Sequence, residues 1–183
     1  IGDNAASKIY VRNKALKAKD VGIKSTVVEL DDSISETKLL RIINNYNDEN
    51  DIDGILVQLP LPKHIDENKI IDTIDPLKDV DGFNLINVGL LSLGKPRVVP
   101  CTPLGCLKLL ETCEKIEGSN VLIIGRSNIV GKPLSYLLTN KNATVTLAHS
   151  KTKNLKEKCK NFDLIIAAVG IPHLIKKDWI SEG

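Results

Sequence analysis

Val121–Pro133 reads VLIIGRSNIVGKP, an apolar run that ends in Gly125, passes Arg126 and Ser127, and reaches a second glycine at 131 before a stretch able to form a helix. The pattern predicts a strand turning into a helix around a phosphate. A glycine ending the strand allows a tight turn, a second permits close backbone approach, and the unpaired N–H groups at the helix start offer partial positive charge to an anion. It is an altered dinucleotide-site signature. The usual fingerprint is G-x-G-x-x-G, whereas Ser127 stands at the second glycine position and the last glycine comes later. Taken alone, the segment is equally compatible with a plain strand-to-helix turn.

The residues that follow narrow the reading. A helical stretch, Pro133–Asn140, leads to ATVTLAHS (Ala143–Ser150), whose β-branched alternation predicts a second strand ending at His149, Ser150 and Lys151. NAD-selective sites place an acid at such a strand end, to accept hydrogen bonds from the ribose 2′-hydroxyl. No acid stands here. Arg126 beside the first glycine, with a hydroxyl and a lysine at the strand end, favours a 2′-phosphate and therefore NADP. A third strand is expected over Leu164–Val169, closed by Gly170.

The chain has 183 residues, enough for one large or two small domains, and 42% of them are hydrophobic, enough for a packed core. Its 25 basic and 23 acidic residues give a net charge of +2, with no clustered basic stripe. That balance gives no electrostatic case for nucleic acid or a membrane surface and points to a small-molecule partner. No apolar run approaches a bilayer's thickness, and the first residues lack a signal-peptide pattern. Cys101, Cys106, Cys113 and Cys159 form no C-x-x-C pair, and His64, His149 and His173 are scattered, so no metal site is expected. Reduced thiols imply a cytoplasmic or organelle-matrix setting. The opening IGDNAAS and closing KKDWISEG look like interruptions of an α/β pattern, so both lobes are expected to be incomplete in this fragment.

The first half alternates helix and strand. A helix is expected over Ala5–Val21, ended by Gly22, then a strand over Lys24–Leu30. Ser33 and Glu36 have capping-box spacing for a helix running toward Asn45, with Leu39, Leu40, Ile42 and Ile43 on its apolar face. GILVQL (Gly54–Leu59) predicts a buried strand of a parallel sheet covered on both sides, stopped by Pro60 and Pro62. A short helix is expected over Glu67–Ile74, and an irregular connection over Val88–Pro100. That connection marks the expected domain boundary, giving 1–99 and 100–183. Thr102 and Pro103 suit an N-cap and first turn for a helix through Glu114.

Several polar residues stand out. Ser7, Tyr10 and Lys14 are three and four residues apart, hence on one helical face, although a solvated lysine-rich helix explains them as well. Gln58 interrupts an apolar strand near its C-terminal end, where open parallel sheets bind ligands, and its amide needs either core partners or a ligand. Asp79 and Asp81 in KDVDGF suit an Asp-Gly turn or a cleft-facing pair.

YVRNKALK (Tyr10–Lys17), DGILVQLPLP (Asp53–Pro62), KDVDGFN (Lys78–Asn84), PCTPLG (Pro100–Gly105) and GRSNIVGKP (Gly125–Pro133) occur in collinear order across essentially the whole chain. In that combination the sequence resembles the bifunctional methylenetetrahydrofolate dehydrogenase/cyclohydrolase family. The resemblance implies an α/β, two-lobed chain, with an N-terminal folate-binding lobe and a Rossmann-like NADP-binding lobe meeting at one cleft. It implies NADP-dependent oxidation of 5,10-methylenetetrahydrofolate, then hydrolysis of the methenyl product to 10-formyltetrahydrofolate. It makes Lys14 the catalytic lysine, Tyr10 a platform against the folate, Gln58 the partner of Lys14 and Asp81 the pterin anchor, with Ser7, Val57 and Leu59 also lining the substrate site. Gly125, Arg126, Ser127, Ser150, Val169 and Gly170 would hold NADP, and the assembly would be a homodimer. Another NADP dehydrogenase of shikimate type, or a non-catalytic nucleotide-binding module, shares the architecture.

Overall fold

The computed structural model describes residues 1–2, 5–113 and 115–181. They form two compact units, Ile1–Val80 and Asp81–Gly183.

In the first unit, α1 (Ala5–Asp20) stops where expected. Gly22 adopts φ +78°, and the bonds Gly22 N–H to Lys19 O (3.1 Å) and Ile23 N–H to Ala18 O (2.8 Å) close a Schellman motif. The next helix, α2 (Glu36–Asp48), is capped by Ser35, whose hydroxyl accepts from Lys38 N–H. The capping box expected from Ser33 and Glu36 does not form. Ser33 Oγ instead donates to Asp31 Oδ1 (2.6 Å), and Glu36 binds Lys69 Nζ (2.6 Å) and Asp66 N–H (2.9 Å), tying α2 to the start of α3 (Glu67–Thr73). Leu39 and Ile43 of α2 enter a core with Ile34, Ile55, Leu61, Ile65, Ile70 and Ile74.

Neither of the two strands expected in this unit forms a ladder. Ile55 makes a single parallel bridge with Asp79, its N–H reaching Lys78 O at 2.7 Å, while Val57 and Leu59 pack on the core as irregular chain. Residues 24–29 are exposed, and the segment's backbone bond to another segment is Gly2 N–H to Leu30 O (2.9 Å). A strand needs a neighbour to pair with. β-Branched composition without one forms no ladder.

The second unit begins with α4 (Leu85–Ser92), inside the region expected to be largely irregular. Asn84 caps it through Oδ1, which accepts Ile86 N–H at 2.9 Å, and Leu91 is fully buried. Because α4 packs on the later helix α6 (Gly131–Thr139), residues 81–99 go by packing with the second unit, whereas the sequence reading assigned them to the first. Between them lies α5 (Cys101–Cys113), which starts one residue before Thr102, so Thr102 lies in the first turn rather than at the cap, while Pro103 occupies the first turn as expected. Its expected end at Glu114 lies outside the described residues.

The sheet is β1 (Asn120–Ile124), β2 (Thr144–Ala148) and β3 (Leu164–Ala167), all parallel, in the order β2-β1-β3, with α7 (Leu155–Cys159) between β2 and β3. Alternate β1 side chains enter opposite cores. Val121 and Ile123 join Leu91, Leu107, Leu134 and Leu138, while Leu122 and Ile124 join Ala148 and Cys159. A central strand covered on both faces must be apolar at every position, which is why VLII is unbroken.

Candidate functional site

Gly125 lies where the three parallel strands end. Its N–H donates to Ala148 O at the end of β2 (2.8 Å), while Ala168 N–H, just past β3, donates to Ile124 O (2.8 Å). The chain leaves β1 for β2 on one side and returns to β3 on the other, which makes this the switch point where open α/β sheets bind ligands. Gly125 has φ +127°, and a Cβ there would sit 2.3 Å from Ala168 O. A Cβ at Gly131 would sit 2.1 Å from Gly125 O. Both glycines are required by backbone contact, and Gly125 by its conformation as well.

Ser127 explains the altered fingerprint. Its Oγ accepts from Val130 N–H (3.1 Å) and Gly131 N–H (3.3 Å), and its carbonyl accepts from Lys132 N–H (3.1 Å). The hydroxyl thus caps α6, whose N-cap residue Val130 supplies no side-chain bond. This corrects the sequence reading, which left the helix-start amides unpaired for an anion: the N–H groups of residues 130–132 are spent inside the turn. What the turn presents outward are the exposed side chains of Arg126, Ser127 and Asn128, with Asn128 Oδ1 held by Lys132 Nζ at 2.7 Å.

Past β2 the chain closes a small turn. His149 N–H donates to Thr152 Oγ1 (2.9 Å), Thr152 N–H to His149 O (2.8 Å), and Lys151 N–H to His149 Nδ1 (3.2 Å). Ser150 is exposed in this turn, which contains no carboxylate. Past β3, Val169 packs on the core and Gly170 adopts φ +63° with open space around it.

The first unit brings together the other set. Lys14 Nζ donates to Gln58 Oε1 at 3.2 Å, Gln58 Nε2 donates to Leu59 O at 2.9 Å, and Ser7 Oγ donates to the same carbonyl at 3.3 Å. Gln58 is half-buried, so the partners its amide demanded are supplied by Lys14 and the backbone. Tyr10, between Ser7 and Lys14 on α1, is 62% exposed rather than packed. Of the two acids in KDVDGF, Asp79 is 3% exposed and sits in the bridge to Ile55. Asp81 opens the second unit, half-buried beside Gly82, whose φ is +72°.

Sequence reasoning passed over Lys78. Its Nζ donates to the carbonyls of Tyr46 (2.9 Å), Asn47 (2.6 Å) and Glu49 (2.7 Å), closing the C-terminal end of α2, while its own carbonyl takes Ile55 N–H. No local pattern marks such a lysine, because its acceptors lie about thirty residues upstream. His64 Nε2 donates to Ile34 O (2.9 Å), burial pushes the Cys159 thiol up, and Cys101 and Cys106 are free. The Cys113 thiol lies outside the described residues. Among the described residues no His, Cys, Asp and Glu cluster could hold a metal, and no helix is long and apolar enough to cross a membrane.

Residues 1–81 match the family described as "Tetrahydrofolate dehydrogenase/cyclohydrolase, catalytic domain", and residues 100–183 match the corresponding NAD(P)-binding domain. The chain is 53% identical to the bifunctional protein FolD of Clostridium novyi and 51% identical to that of Listeria innocua, in each case over all of this chain. It spans 66% and 65% of their respective lengths. The bifunctional FolD of Campylobacter jejuni superposes with a TM-score of 0.94 at 48% identity, covering all of this chain and 65% of that one. A silkworm 5,10-methylenetetrahydrofolate dehydrogenase superposes at 0.91 with 42% identity, covering all of this chain and 67% of that one. A Trypanosoma brucei dehydrogenase-cyclohydrolase, solved with NADP and an inhibitor, superposes at 0.93 with 36% identity, covering all of this chain and 63% of that one.

Proposed function

The chain belongs to the tetrahydrofolate dehydrogenase/cyclohydrolase family, and on that premise we propose that it carries out two consecutive reactions on a folate-bound carbon. The first oxidises 5,10-methylenetetrahydrofolate to the methenyl form with NADP. The second adds water to that cation and opens it to 10-formyltetrahydrofolate, releasing a proton. The observation that carries this reading is the cluster of Lys14, Gln58 and the exposed ring of Tyr10 on and against α1.

The turn at the end of β1 fits a phosphorylated dinucleotide. Its glycines meet the backbone with no room for a Cβ, its outward residues are Arg126 and Ser127, and the β2 turn offers Ser150 and Lys151 with no carboxylate to repel a 2′-phosphate. Arg126 and Ser150 would hold that phosphate, Gly125 and Ser127 the diphosphate side, and Val169 and Gly170 the nicotinamide half. When bound, NADP accepts the hydride lost by the bridging carbon, and the folate nitrogens carry the resulting positive charge.

On the substrate side, the Tyr10 ring offers a flat surface to the pterin, and Asp81 offers two oxygens to its amino-pyrimidinone N–H groups. Hydrolysis requires proton movement. Water attacking the methenyl carbon loses a proton to Lys14 Nζ, which Gln58 Oε1 holds in place, and the folate nitrogen takes a proton as its bond to that carbon breaks. Ser7 and the carbonyl of Leu59 shape the same surface, with Val57 behind it on the core. The small-molecule partner is thus a folate, and we propose a homodimer in the cytoplasm as the working assembly.

The test is spectroscopic. With 5,10-methylenetetrahydrofolate and NADP, the protein should produce NADPH while a methenyl absorbance rises and then decays. Absence of NADPH formation would reduce the chain to a binding module, and a methenyl absorbance decaying no faster than in buffer would remove the hydrolytic half.

A further inference from the structure

Resting on the reading just given, we propose that Ser7 is a positioning residue that fixes which end of the Gln58 amide faces Lys14. The Leu59 carbonyl oxygen is the pivot. It accepts from Gln58 Nε2 at 2.9 Å and from Ser7 Oγ at 3.3 Å, while the other end of the same amide, Oε1, accepts from Lys14 Nζ at 3.2 Å. A primary amide has one accepting end and one donating end. Reversed, it would turn NH₂ toward the Lys14 N–H that Oε1 now accepts and set oxygen against a carbonyl oxygen, losing both bonds. The orientation therefore depends on where the Leu59 carbonyl points.

Gln58 and Leu59 lie outside any strand ladder, so no rung of sheet holds that carbonyl. Ser7 does so from α1. It lies seven residues, about two helical turns, before Lys14, so the two side chains leave one face of the helix and grip adjacent residues of the facing segment. The Ser7 hydroxyl acts on the lysine through a backbone carbonyl and a side-chain amide.

The experiment compares Ser7→Ala and Ser7→Thr with the parent protein, measuring methenyl hydrolysis and dehydrogenation separately across pH. Losing one neutral hydrogen bond predicts that Ser7→Ala slows hydrolysis about fivefold to tenfold, by more than it slows dehydrogenation, and displaces the pH profile of hydrolysis. Ser7→Thr, which keeps the hydroxyl, should restore both. In a ¹⁵N spectrum, the Gln58 side-chain NH₂ should exchange with water faster in the alanine variant, a readout independent of turnover. An unchanged hydrolysis profile and unchanged exchange in Ser7→Ala would overturn the proposal, as would equal loss in both variants. Folding of each variant is checked by thermal melt; if Ser7→Ala does not fold, the Gln58 exchange rate in Ser7→Thr decides, since a parent-like rate supports the proposal and a faster one overturns it. Lys14→Met and the parent's own activity separate this from the wider reading: a parent that neither forms NADPH nor hastens methenyl decay sinks the two-reaction function, a Lys14→Met variant that still hydrolyses sinks the role of Lys14 and with it that of Ser7, and loss of hydrolysis in Lys14→Met with none in Ser7→Ala sinks only the role of Ser7.

Discussion

Gly131 begins α6 so close to Gly125 that a methyl group on it would lie 2.1 Å from the Gly125 carbonyl oxygen. The first residue of the helix is packed on the last turn of the strand that feeds it, with Ser127 Oγ bridging the interval through the amides of Val130 and Gly131. Gly131→Ala therefore forces the turn open. We expect a stability loss of about 1–3 kcal/mol in urea denaturation, typical of overpacking, together with weakened NADP binding by calorimetry. Normal stability and normal affinity would show that the turn can yield.

Lys14 is the basic group assigned to the hydrolytic step. Lys14→Met keeps the aliphatic stem and removes the proton carrier, so methenyl hydrolysis should fall by about 100-fold or more, as loss of a general base does. Dehydrogenation, which depends mainly on orientation, should fall less. Equal loss of both with folate binding intact contradicts the assignment.

Arg126 leaves the cofactor turn exposed and has no carboxylate in the β2 turn to compete for a phosphate. Removing one charge-assisted contact predicts that Arg126→Ala raises the Kd for NADP by about tenfold or more. The Kd for NAD, which lacks the 2′-phosphate, should move much less. Parallel weakening of both cofactors in equilibrium titrations would place Arg126 elsewhere.

Lys78 spends its ammonium on three carbonyls at the C-terminal end of α2, where the helix dipole also favours a cation. Lys78→Met should cost about 2 kcal/mol by chemical denaturation. A change within error of zero would mean that water replaces those contacts freely.

Glu36 holds Lys69 Nζ and Asp66 N–H, and these bonds lower its pKa below 4.5. A carboxylate lowered in the folded state contributes stability that is complete above its unfolded pKa and is lost as pH falls through the folded value. The melting temperature should therefore drop as pH falls below about 4.5, and Glu36→Gln should flatten that part of the curve. Added salt should shrink the effect, since the pair is solvent-accessible. A Glu36→Gln curve parallel to the parent through this range would assign the acid sensitivity to other groups.

Where chain periodicity and covalent constraint decide the outcome, the sequence sufficed. VLII had to be a strand that turns into a helix past Gly125, Gly22 the end of the first helix, and the spacing of Ser7, Tyr10 and Lys14 a shared helical face, because each follows from backbone geometry within one element. The motif resemblance likewise pairs Lys14 with Gln58, and the two share a 3.2 Å bond. Tertiary structure alone decided what each polar group does with its hydrogen bonds. Ser127 closes its own turn instead of leaving helix amides open, Ser35 takes the cap expected of Ser33, GILVQL makes a single rung, and Leu59 presents one carbonyl to both Ser7 and Gln58. Those choices depend on which partner lies within about 3 Å once distant segments have met, and separation along the chain carries no record of that.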